Sequence, residues 1–260
     1  MASVLILISV DPLLDQRPIP QETNQKSSTK NLDLSWLPPL LPVLVVSVVA
    51  TGILALQQSA LPLDLVKGGL ERPGLSESHS SALIAFQLTL LVLLQWPVGR
   101  WLSERSVAFG LSLGLVSFAS GSLLIGLSAL SSSGTGLVMV ALLPMAFAQA
   151  AFLPTATEAV VEETPPEHRG LAMAMFSQCF TISAMSAPVL GGNLLDQQGH
   201  GLTLWIAVSV ISLAVLPLTK GLKPRFQADF QERSNNLLRL KQGDQAVSGS
   251  KEPPLSSNIR

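Results

Sequence analysis

Six apolar blocks, each about as long as the ~20 residues an α-helix needs to cross a hydrocarbon core, constrain this chain more than any motif in it. They run roughly over residues 37–61, 80–101, 107–130, 137–160, 171–190 and 202–218. Lipid supplies no hydrogen-bond partners, so each block must close its own backbone as a helix. The chain of 260 residues is 48% hydrophobic and only 13% charged, against about 25% charged for a soluble domain. A water-soluble core of this size could not absorb that much apolar surface. The reading is an all-α membrane protein with six transmembrane helices.

The basic residues sort by side. Arg17, Lys26 and Lys30 precede the first block, Arg100 and Arg105 follow the second, and Arg169 follows the fourth. Every base from Lys220 to Arg260 follows the sixth, which leaves only Lys67 and Arg72 in the opposite connections. Basic residues near helix ends stay on the cytoplasmic side, so the expected topology is N-in and C-in. The localisation that follows is a multi-pass protein of the plasma or inner membrane.

The two ends read differently from the middle. Residues 1–35 form a cytoplasmic segment, in which Val4 to Val10 is an apolar run too short to span. That run reads either as the remnant of a longer helix followed by a linker, Asp11 to Asp33, or as a frayed terminus. Residues 220–260 form a polar tail. Phe226, Phe230 and Leu237 stand there at helical spacing, predicting a short helix on the membrane surface, with disorder beyond about Gly243.

Several function classes drop out. A net charge of −1 gives no basic face for nucleic acid. The single cysteine, Cys179, allows neither a disulfide nor a thiolate metal site within the chain. His79, His168 and His200 are scattered and lack metal-ligand spacing, and read as solvated loop residues. Ser183, Ser186 and the serine run from Ser131 lack a nucleophile context and a nearby base. No catalytic residue, metal or cofactor is expected, and an enzyme is disfavoured. Trp36, Trp96, Trp101 and Trp205 all fall at block ends, where interfacial aromatics belong.

Within the blocks, Pro38, Pro39, Pro42 and Pro62 are expected to bracket the first helix, Pro144 and Pro154 to interrupt the fourth, and Pro188 to break the fifth. The third block carries a small-residue stripe, Gly110, Gly114, Ser117 and Gly121, suited to close helix packing. The first and fourth blocks echo each other: Gln57, Pro62, Asp64 against Gln149, Pro154, Glu158. A three-plus-three repeat aligns these two helices, and units of three helices run through the bilayer in opposite directions, as inverted repeats do.

The connection after the second block, Gln95-Trp-Pro-Val-Gly-Arg-Trp-Leu-Ser-Glu-Arg105, resembles the Gly-x-x-x-Asp-Arg signature of the major facilitator superfamily. Gly99 and Arg105 stand at the two ends of that resemblance and Glu104 replaces the usual Asp, with four residues rather than three between Gly99 and Glu104. After the fourth block, Pro165, Arg169 and Gly170 are similar to the family's Pro-x-x-x-Arg-Gly segment. At the end of the fifth, Ala187-Pro188-Val-Leu-Gly191-Gly192 is similar to its Gly-Pro-x-x-Gly-Gly run. The resemblance covers residues 36–219 and implies half of a transporter fold, two inverted three-helix repeats. The fourth block has no Arg, the loop after the second is degenerate, and Val4 to Val10 with its linker looks like the close of an earlier helix. Together these departures favour the carboxyl-terminal half.

The resemblance also implies which residues matter. The first and fourth helices would border the solute path, making Gln57, Gln149, Thr155 and Glu158 its candidate lining. Their alternative role is interhelical hydrogen bonding or, for Glu158, a place on a solvated rim. Gly99, Glu104 and Arg105 are candidates for charge contacts that accompany state switching, or for plain anchoring at the membrane surface. Pro188, Gly191 and Gly192 form the helix-five motif. The function implied is transport of a small solute by alternating access, with the lipid bilayer and a second six-helix half, a separate chain or a second copy, as partners. The alternative is a membrane interaction or assembly protein that retains the fold without transporting.

Overall fold

The structure, a computed structural model, describes residues 36–222. The apolar run at 4–10, the linker at 11–33 and the tail helix at 226–237 lie outside the described residues. Six α-helices follow one another: α1 (Leu37–Lys67), α2 (Glu77–Leu102), α3 (Val107–Ser128), α4 (Gly134–Glu162), α5 (Arg169–Gln198) and α6 (Leu202–Thr219). All six are long and apolar enough to cross a membrane, and no strand occurs among the described residues. Trp36 and Leu222 mark the near end of the bundle. The α1–α2, α3–α4 and α5–α6 connections mark the far end.

Local chemistry sets the helix boundaries. Ser76 and Ser106 cap α2 and α3, their hydroxyls accepting from the amides of His79 and Phe109. Gly68 and Gly199 close α1 and α5 with φ of 86° and 71°, values that a side chain disfavours. The prolines do less than their positions suggest. Pro62 lies inside α1, which continues to Lys67; Pro144 and Pro154 lie inside an unbroken α4; and α5 continues past Pro188 to Gln198. A proline removes one amide donor, and in a packed bundle the rest of the helix ladder and its neighbours hold the course.

The packing is that of two interleaved three-helix units. The first helix of each unit lies along the second helix of the other, α1 on α5 and α4 on α2, while α3 packs on both α4 and α6. Units of three helices traverse the bundle in opposite senses, giving the inverted repeat its geometry. The α3 stripe works as a close-packing surface. A Cβ added at Gly110 would meet Thr155 of α4 at 2.7 Å, and one at Gly121 would meet Met145 at 2.6 Å. Hydroxyls stitch the other pairs: Thr51 and Ser183 lie 2.8 Å apart between α1 and α5, and Ser209 of α6 donates to the Ala119 carbonyl of α3 at 2.9 Å.

The helices α2 and α5 are the least enclosed. Each buries a single stripe, Ser80, Leu83, Gln87, Val98 and Leu102 on α2, and Ala172, Phe176, Cys179, Ser183, Ala187, Gly191 and Leu195 on α5. Spacings near three and four residues place each set on one helix face. The four tryptophans divide. Trp96 and Trp101 are exposed toward the near end of α2, but Trp36 and Trp205 are buried. Trp36 stacks on His168 at 5.2 Å and the Trp205 indole donates to Asp64 at 3.2 Å, so each is committed to a protein contact rather than to the interface.

Candidate substrate path and loop motif

Three glutamines from three helices meet close to the mid-length of α1, α2 and α4. The Gln57 carbonyl oxygen accepts from Gln149 Nε2 and, at 2.8 Å, from Gln87 Nε2, while Gln57 Nε2 donates to Met145 Sδ at 2.6 Å. Their exposures are 4%, 5% and 8% for Gln57, Gln87 and Gln149. Both oxygen lone pairs of Gln57 are thereby filled. The two glutamines that the repeat equates are bonded directly, and Gln87 of α2 completes the knot. Chemically, the cluster offers neutral donors and acceptors and carries no charge.

The other path candidates part company. Thr155 is buried at 5% exposure, donates to the Ala151 carbonyl of its own helix at 2.7 Å and packs against Gly110. Glu158, one turn on, is exposed at the near end of α4. Its repeat counterpart Asp64 is 1% exposed. The echo therefore holds for the glutamines and fails for the acids.

Asp64 anchors a far-end network that sequence reading left unassembled. Its Oδ2 accepts from Arg72 Nη2 at 3.1 Å and from the Trp205 indole, and its Oδ1 accepts from the Gly201 amide at 2.9 Å. Arg72 also donates to the Asp64 carbonyl at 3.0 Å and to the Ser128 hydroxyl at 2.5 Å. One buried ion pair thus ties α1, the α1–α2 loop, the end of α3 and the start of α6. The available signal was sparse: one acid and one base flanking a glycine-rich turn on the base-poor side. An exposed pair, Lys67 with Asp196 at 2.5 Å, joins α1 to α5 at the same end.

In the loop motif, Gly99 lies in the last turn of α2, where an added Cβ would meet nothing within 4 Å. Glu104 and Arg105 are both exposed. Among the described residues they form no ion pair with each other; Arg105 instead lies over the rings of Trp101 and Phe109. A cleft of about 100 Å³ beside it is lined by Arg105, Ser106, Ala159, Glu162 and Glu163, among others. In the helix-five motif, Gly191 faces α1, a Cβ there meeting Ala60 and Leu56 at 2.9 Å. Gly192 has open space beside it, and Pro188 is exposed within the continuous helix.

The sequence matches the family model of the Major Facilitator Superfamily over residues 19–245. The chain belongs to that superfamily. A solved major facilitator fold, the peptide transporter POT in complex with sulfate, superposes with a TM-score of 0.59 at 16% identity, covering 80% of this chain and 45% of that one. This chain therefore spans about half the length of the transporter it matches. No curated protein is found to match it. For a major facilitator chain, the Gln57–Gln149 contact joins the first helices of its two inverted units at mid-depth.

Proposed function

We propose that this chain moves a small solute across the membrane by alternating access, as one six-helix half, the carboxyl-terminal one, of a major facilitator-type transporter. The bond between Gln57 and Gln149 carries the reading. Inverted-repeat transporters bind their solutes near the midplane at the junction of the repeats, and this bond lies at that junction. Amide-to-amide bonds are exchangeable: a solute hydroxyl, amide or carbonyl can replace one partner at a net cost of about 1 kcal/mol or less. Thr155 and Glu158 extend the same helix toward the near end and give the path its second group of polar side chains. Gly99, Glu104 and Arg105 would make the contacts that change as the half rocks, and Gly191, the residue of the helix-five motif that faces α1, would let α5 slide on it.

A second six-helix half, from another chain or another copy, completes the path in this reading, and the open flanks of α2 and α5 leave room for it. The basic residues place the near end in the cytoplasm. Burial of all three glutamines favours one competing reading, a membrane assembly protein whose amides serve packing alone.

Uptake of radiolabelled sugars, amino acids and dipeptides tests the choice, in cells producing the chain and in proteoliposomes. Accumulation of one solute class, lost on Gln149→Leu at equal protein level, supports transport. No accumulation in either system, with cross-linking recovering only a monomer, overturns it.

A further inference from the structure

The glutamine knot has hydrogen-bonding capacity that its own contacts leave unspent. A primary amide offers two N–H donors and a carbonyl oxygen with two lone pairs. Gln57 fills both lone pairs with Gln87 and Gln149 and gives one N–H to the Met145 thioether, a weak acceptor. Gln87 and Gln149 each give one N–H to Gln57. Among the described residues nothing donates to their carbonyl oxygens, and neither oxygen is shut away from solvent. Two amides, on α2 and α4, thus each hold an open acceptor and a second donor, fixed in orientation by the same partner.

The depth around the knot is free of charge. Neither α3 nor α6 contains an Asp, Glu, Lys or Arg; α1 has none before Asp64, α2 none between Glu77 and Arg100, α4 none before Glu158 and α5 none between Arg169 and Asp196. The two acids at the nearer limits are not available to a solute at the knot. Asp64 is committed to Arg72 at the far end, and Glu158 stands nine residues beyond Gln149, about 13 Å along the helix.

Hydrogen-bond chemistry then selects among solutes. A hydroxyl donates and accepts at once, so it can bond an open carbonyl oxygen and an amide N–H together. A carboxylate or phosphate would meet those N–H groups beside two carbonyl oxygens and no cation. An ammonium group would meet the oxygens with no counter-charge. Holding either charge unpaired at membrane depth is costly. We propose that the solute of this half is an uncharged polyhydroxylated molecule, a sugar or polyol, whose hydroxyls bond Gln87 and Gln149 while Gln57 holds the two amides in place. The inference rests on the transport reading above and narrows its solute.

The test uses the full chain in proteoliposomes and radiolabelled solutes of similar size that differ in charge: neutral glucose and sorbitol, cationic N-methylglucamine and anionic gluconate. A neutral member is expected to accumulate, and both charged ones to enter roughly tenfold more slowly or less. Gln149→Glu and, separately, Gln87→Glu keep the side-chain shape and add a carboxylate. Each is expected to shift the ratio of N-methylglucamine to sorbitol uptake upward by roughly tenfold, whereas a role confined to helix packing would lower both solutes alike. An unchanged helical circular dichroism signal checks the fold of each variant, and the wild-type series decides without them. Wild-type uptake of gluconate, N-methylglucamine, an amino acid or a dipeptide in preference to the neutral pair overturns the inference and leaves transport standing. No uptake of any solute by the intact chain overturns transport itself, and the inference with it.

Discussion

The Arg72 guanidinium lies 3.1 Å from the Asp64 carboxylate, with the two side chains 0% and 1% exposed. Hydrogen bonds from Gly201 and Trp205 satisfy the rest of the carboxylate. Removing one member strands the other charge in a dry site, which typically costs about 3–5 kcal/mol. Arg72→Met is therefore expected to lower the midpoint of denaturant unfolding in detergent sharply. Adding Asp64→Leu to it should restore part of the loss, because the stranded charge goes with it. Additive losses in the double variant would contradict the network.

Lys67 and Asp196 make the contrasting case. Their side chains are 38% and 76% exposed, so water and salt screen the pair. Lys67→Gln is expected to change stability by no more than about 1 kcal/mol, and less at high salt. A loss as large as that of Arg72→Met, measured in the same unfolding series, would show that this pair is shielded.

Gln57 accepts from two glutamines at once, so Gln57→Leu orphans two buried donors. Interhelical hydrogen bonds in membrane proteins average about 0.6 kcal/mol and reach about 1.7, which places the expected loss near 1–3 kcal/mol. Gln87→Leu removes one donor and should cost less. A Gln57 variant as stable as wild type would mean that the amides find other partners.

Gly121 lies against Met145, the residue whose sulfur accepts from Gln57. Gly121→Ala forces a Cβ to 2.6 Å from Met145 Cγ and 3.2 Å from the Ala141 carbonyl. Overpacking of this kind costs about 1–3 kcal/mol, and here it should also disturb the glutamine knot. Gly99→Ala meets no atom and should stabilise α2 by up to about 1 kcal/mol. The two alanine variants, compared by thermal unfolding, are expected to move in opposite directions.

Residue spacing alone carried a good part of this architecture. The apolar blocks around Leu37, Val107 and Leu202 begin where the helices begin, because a span is a property of composition over about twenty residues. The α3 glycines were legible for a similar reason, since small residues at helical spacing mean close approach whatever the partner. The motif residues Gly99, Arg105, Pro188 and Gly191 pointed to the superfamily that the whole-chain match shows. The helix ends were less legible. Pro62 and Pro188 look like breakers in a linear reading, yet α1 and α5 run through them, because continuation depends on what surrounds the missing hydrogen bond.

The pairings belong to a different level. That Gln149 bonds Gln57, that Arg72 reaches back to Asp64, that Trp205 is buried on that carboxylate and that Arg105 lies on Trp101 rather than beside Glu104 all depend on which helix faces meet. By itself, the sequence determined the number of helices, their order, the segregation of its bases and the family. Only the tertiary structure decided the partner of each polar side chain. Burial in lipid is a sum over a segment, which a sequence states directly, whereas a hydrogen bond needs two atoms within about 3 Å, and residues 8 or 141 positions apart are brought to that distance by packing alone.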